Sequence, residues 1–200
     1  MRTRIEIKPG FFLVLAAAIL MEGLDFAGLV LLAASLHELG HCAAIRLCGG
    51  RIQALRMGHT GAEILFDGRL GYLQDMLIAL AGPAASLLAA LAVDAAYGQS
   101  GSEAATLFAG LNLLYCLCNL LPLSVLDGGR FLFALCSAVL GPFHAGRIAS
   151  VIDAAGSALL FAAGVYAFAK TGGNLTLLLC SVFLLDACCK SSKNSVNFHH

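Results

Sequence analysis

The chain has 200 residues, no net charge, 60% hydrophobic residues and only 12% charged ones, where a soluble domain carries about 25% charged residues. With a mean hydropathy of +0.87, so much apolar surface has no place in a soluble core of this size, and the solvent must be lipid. The missing positive balance argues against a nucleic-acid partner. Trp is absent and only four Tyr are present, so the usual interface anchors are scarce.

In chain order, the first apolar segment is 11–21, closed by Glu22, Gly23 and Asp25. It is short for a span, and no small-residue cleavage site follows it, so a removable signal peptide is not expected. Segment 26–48 is long enough to cross a membrane. The third segment is 72–93 and the fourth 104–122, with a short helix over 131–140 as the fourth's cytoplasmic continuation. Segments 151–169 and 175–189 complete about six transmembrane helices in an all-α membrane protein. With no repeat and only 11 residues after Cys189, a single domain over 1–200 is expected.

Between the second and third segments the chain becomes polar. Residues 52–57 and 62–66 flank Gly58-His59-Thr60-Gly61, which predicts a small cytoplasmic-side β-hairpin. A strand edge there can capture an extended peptide; a plain solvated connection is the other reading.

Inside the second segment stands Ser35-Leu36-His37-Glu38-Leu39-Gly40-His41. On a helix, His37 and His41 lie one turn apart on one face, where both can ligate one zinc ion. Glu38 between them is placed to act as general base on the attacking water. Ionisable groups inside a span are costly unless paired or metal-bound, and they mark function. The pattern points to a membrane-embedded metalloprotease.

Positive charge orients the segments. With a cytoplasmic N-terminus and six crossings, Arg2, Arg4, Lys8, Arg46, Arg51, Arg56, Arg69, Arg130, Arg147, Lys190 and Lys193 share one side and only Lys170 faces the other. The positive-inside rule then places both termini in the cytoplasm. His41 lies five residues before Arg46, about 7–8 Å from the cytoplasmic end of its helix.

A zinc ion on two histidines needs a third protein ligand and an open position. The fourth segment also runs inward, through Asn119-Leu120-Leu121-Pro122-Leu123-Ser124-Val125-Leu126-Asp127-Gly128-Gly129-Arg130, bringing Asp127 to similar depth. Pro122 ends or breaks the helix, and the Gly pair permits backbone conformations closed to other residues. Asp127 is the candidate third ligand; the alternative is a cap for the helix that follows.

These residues, with Ala81-Gly82-Pro83-Ala84-Ala85-Ser86, resemble the three signatures of the site-2 protease family of intramembrane zinc metalloproteases. The layout is most similar to the sporulation-type branch that processes pro-sigma factors. The resemblance implies zinc on His37, His41 and Asp127, Glu38 as general base, and Asn119 steadying the substrate carbonyl or oxyanion. It also implies a transmembrane or membrane-associated protein substrate cut near the cytoplasmic face of a bacterial cytoplasmic membrane, in regulated proteolysis, with regulatory membrane proteins as further partners. Ser86 stands where relatives often carry an amide residue, which argues against a polar role there. Neither a PDZ nor a CBS domain fits within these 200 residues.

A membrane metal-ion transporter using the same His-Glu-x-x-His site is the alternative, but it needs a second metal-binding helix, and none is evident. The remaining features carry less. The eight cysteines include no C-x-x-C pair and read as small hydrophobes. His59, and His144 in a Pro142-Phe143 loop, read as surface residues. Asp75, Asp153 and Asp186 read as carboxylates near helix ends, within reach of water. Gly82 and Pro83 read first as packing residues and second as shaping the active-site cavity; Asn112, on the same helical face as Asn119, serves packing or catalysis. His199 and His200 are left out of the functional reading.

Overall fold

The computed structural model describes residues 4–58, 61–68, 70–98 and 101–170. It divides into two compact units, Met1–Asn119 and Leu120–His200. The first unit contains β1 (Arg4–Ile7), α1 (Pro9–Glu22), α2 (Leu24–Leu47), β2 (Arg51–Gly58), β3 (Gly61–Asp67), α3 (Tyr72–Tyr97) and α4 (Glu103–Asn119). The second contains α5 (Asp127–Leu140) and α6 (Pro142–Lys170).

Long apolar runs without internal caps make these helices, and α2, α3 and α6 are each long and apolar enough to cross a membrane. The 17 residues of α4 rise about 26 Å, somewhat less than a bilayer core. Helix α1 is the shorter apolar helix that the sequence suggested, extended to 14 residues by Pro9 at its start. Leu88 and Leu91 of α3, Leu117 of α4 and Leu159 of α6 are exposed, as side chains facing lipid would be.

In the first unit α3 packs against both α2 and α4. The buried stripe of α2 runs Ala33, His37, His41, Ile45, a spacing of four that keeps all of them on one face. At the other end of that face, Gln74 ties the helices together. Its Oε1 accepts the Gly71 N–H at 2.9 Å and its Nε2 donates to the Cys48 carbonyl at 3.3 Å, occupying groups that helix ends otherwise leave open.

The expected hairpin is present. Strands β2 and β3 pair antiparallel, with Leu55 opposite Ile64 and a register shift between Ile52 and Ala54. Strand β1 was not anticipated; it pairs parallel to β2, Arg4 opposite Ala54, so β2 is the centre of a three-stranded sheet. Four residues at the start of the chain are too few to signal a strand alone. An Arg56 Nε–H bond to Glu6 Oε2 at 2.7 Å fastens β1 to β2.

In the second unit two expectations are corrected. The helix over 131–140 is not a continuation of the fourth segment: α5 begins at Asp127, after a turn closed by the Leu126 N–H on the Leu123 carbonyl at 2.8 Å. Helix α6 starts at Pro142, well before residue 151, because Pro at a helix start needs no N–H partner. His144 therefore sits in the first turn of a helix, exposed, with Nδ1 3.1 Å from the Leu140 carbonyl. Segment 175–189 lies outside the described residues.

Candidate metal centre

The α2 histidines are 3% and 4% exposed. His41 Nδ1–H donates to the Ile78 carbonyl of α3 at 2.8 Å. A carbonyl can only accept, so Nδ1 carries the proton and the Nε2 of the neutral ring keeps its lone pair. His37 Nδ1 bonds the Ser86 hydroxyl of α3 at 3.0 Å. With Nδ1 as donor there too, both Nε2 lone pairs face each other at 3.2 Å.

That arrangement suits a shared cation. Zn–N bonds of about 2.05 Å in a tetrahedron put two nitrogens about 3.3 Å apart, close to the observed separation. The Nδ1 contacts are those that orient metal-binding histidines. The histidine half of the site therefore fits zinc.

Close approach of α3 creates the space. A Cβ on Gly82 would fall against His41 Nε2 and within 2.7 Å of His37 Nε2. Only glycine leaves room at the converging nitrogens. On the facing helix a Cβ on Gly40 would lie 2.5 Å from the Ala81 carbonyl and 2.7 Å from Ala85 Cβ. Gly82 thus shapes the cavity at the nitrogens, beyond the packing role read first. Ser86 is fully buried and hydrogen-bonded to His37, which corrects the expectation of no polar role. Its hydroxyl reaches a ring nitrogen one helix away, a contact that sequence spacing does not encode.

Glu38 is half-buried on α2 beside His37. The ring of Tyr115, on α4, lies 5.7 Å from that of His37; the sequence reading missed it, although Tyr115 stands one turn before Asn119. Asn119 is the last residue of α4, half-buried, with its Nδ2 donating to the Tyr115 carbonyl at 3.0 Å. Asn112, two turns earlier, is fully buried and donates to the Phe108 carbonyl at 2.9 Å.

In the second unit Asp127 is 6% exposed. It does not cap α5: Leu126 holds the N-cap position without a side-chain bond, and Asp127 is the first helical residue. A carboxylate there is favoured by the helix dipole. Arg130 Nη1 lies 3.7 Å from Asp127 Oδ1, a loose pair at a half-exposed side chain. The glycines that follow serve close approach rather than unusual backbone angles, since neither has a positive φ. A Cβ on Gly128 would strike the Leu120 carbonyl, and one on Gly129 the Leu123 carbonyl.

Asp153 was read as a carboxyl near a helix end. It stands instead well inside α6, 6% exposed, and its Oδ1 accepts the Ser124 N–H at 2.8 Å. His59 lies outside the described residues. The described cysteines Cys42, Cys48, Cys116, Cys118 and Cys136 are all free, in keeping with their reading as small hydrophobes.

A fold of this kind is known among solved structures. It is similar to the site-2 protease from Methanocaldococcus jannaschii, with a TM-score of 0.74 and 24% identity over 94% of this chain and 90% of that one. Residues 95–163, which hold Asn119, Asp127 and Asp153, match Peptidase family M50. No curated protein matches the chain. The site-2 protease resemblance read from the motifs is borne out by family match and fold, which together support an intramembrane metalloprotease.

Proposed function

We propose that this chain is an intramembrane zinc metalloendopeptidase that hydrolyses peptide bonds of transmembrane or membrane-associated proteins near the cytoplasmic face. One observation carries the reading: two buried imidazoles in an apolar span, Nε2 atoms 3.2 Å apart, each fixed at Nδ1. The buried donors His37, His41 and Asp127 supply two nitrogens and a carboxylate oxygen, the set of a catalytic zinc with an open position.

Zinc bound there would polarise the scissile carbonyl and acidify the attacking water. The chain's own residues do the rest. Glu38 takes the proton from that water and returns it to the leaving amine. Asn119, with one amide N–H committed to the Tyr115 carbonyl, has a second to offer the substrate carbonyl. A substrate helix must be unwound before attack, and an exposed sheet edge can hold it extended.

The charge pattern supports cytoplasmic termini and release of the product to the cytoplasm. Regulated proteolysis in a bacterial membrane, such as pro-sigma or anti-sigma factor processing, is the setting that the motif resemblance favours. Co-expression with candidate single-span substrates tests the activity. Wild type should produce a fragment that Glu38→Gln does not. A fragment at wild-type level from Glu38→Gln would reject the assignment, and metal movement by the protein in proteoliposomes would favour a transporter.

A further inference from the structure

Asp153 is a buried carboxyl for which the proposed reaction has no use. It lies 11 residues into α6, about 16 Å along the helix axis, in a segment apolar enough to span a membrane. A carboxyl at such a place is retained for what it binds. Its bond partner is the main-chain N–H of Ser124 at 2.8 Å, three residues before Asp127.

The surroundings show a clamp on one loop. One turn beyond Asp153, a Cβ on Gly156 would lie 2.8 Å from Leu123 Cδ2, so α6 is cut away to admit Leu123, itself 2% exposed. From the other side the first turn of α5 presses on the same loop, through Gly128 on the Leu120 carbonyl and Gly129 on the Leu123 carbonyl and the Ser124 nitrogen. Residues 120–126 are thus held between α5, through close backbone contact, and α6, through the Leu123 side chain against Gly156 and the Asp153 bond to Ser124. That bond fixes the segment from which Asp127 projects.

We infer that Asp153 is a positioning residue for Asp127: by accepting the Ser124 N–H it sets the loop in the conformation that presents the Asp127 carboxylate as a ligand. The inference rests on the zinc reading above. Outer partners of metal ligands commonly govern affinity in this way, their loss costing about 10–100-fold.

The test uses the full chain in detergent micelles, with zinc affinity measured by chelator competition and amide exchange followed at Ser124. Asp153→Ala should lower zinc affinity at least about tenfold and speed exchange at Ser124. Asp153→Asn, which keeps an oxygen acceptor, should stay within about threefold of wild type. Ser157→Ala, one turn along the same helix and equally buried, is the packing control and should leave affinity unchanged. Wild-type affinity in Asp153→Ala, or an equal loss in Ser157→Ala, would overturn the inference. If Asp153→Ala does not fold, Asp153→Asn decides: tenfold weaker zinc overturns it, and wild-type zinc with a protected Ser124 amide supports it. Zinc retained by Asp127→Ala would instead sink the zinc reading itself.

Discussion

The Ser86 hydroxyl, fully buried on α3, lies 3.0 Å from His37 Nδ1 on α2. This bond holds the imidazole so that Nε2 points toward that of His41. Ser86→Ala should therefore weaken zinc binding about 10–100-fold without unfolding the chain, and Ser86→Thr should recover most of the loss. Equilibrium competition with a chelator measures both. Unchanged affinity in Ser86→Ala would mean that helix packing alone orients the ring.

Gly82 is the partner of that arrangement. A Cβ there would lie within 2.7 Å of the ring nitrogens, closer than nonbonded atoms pack. Gly82→Ala should displace one or both imidazoles and reduce bound zinc at least tenfold, read by metal analysis after purification. Ala at Gly28, where a Cβ meets nothing within 4 Å, should leave zinc content at the wild-type level. Stoichiometric zinc in Gly82→Ala would show that α2 and α3 can part without harming the site.

Glu38 separates metal binding from chemistry. Glu38→Gln removes the general base but no donor, so zinc should stay bound while cleavage falls by about 10²–10⁴. His37→Ala, His41→Ala and Asp127→Ala should lose zinc and activity together. Metal content and fragment yield, measured on the same preparations, distinguish the two patterns.

What the sequence made legible was local. The spacing of His37 and His41 placed both on one face, and the run from 26 to 48 predicted a helix long enough to cross a membrane. Both hold in α2, an apolar helix of 24 residues whose buried stripe includes the two histidines. Contacts between elements were less readable. Ser86 and Ile78 meet the histidines across a helix interface, and Asp153 reaches Ser124 across 29 residues of chain. A carboxyl counted from the start of an apolar segment looked terminal only because α6 begins nine residues earlier than hydrophobicity suggests. The Gly pair after Asp127 was assigned to special backbone angles, yet its value is the absence of Cβ atoms where α5 meets the loop. Strand β1 is invisible alone because it exists by pairing with β2.

The sheet offers the final prediction. Strand β2 is central, paired through Leu55 to Ile5 on one side and Ile64 on the other, while β3 is an edge. Pro cannot donate to a ladder and is tolerated mainly at edges. Leu55→Pro should therefore disrupt both pairings and slow cleavage of a helical substrate strongly, with zinc content unchanged because the histidines sit on α2. Ile64→Pro, on the edge strand, should disturb one pairing and slow cleavage less. If the sheet serves to hold substrate extended, a short peptide that needs no unwinding should be cut at nearly the same rate by all three proteins. Mapping the new terminus of the long substrate by mass spectrometry should place the cut within or just beside the cytoplasmic half of its span. Equal loss on both substrates would assign the sheet a structural role, and a cut in the outer half would show that the orientation inferred from the arginines and lysines is wrong.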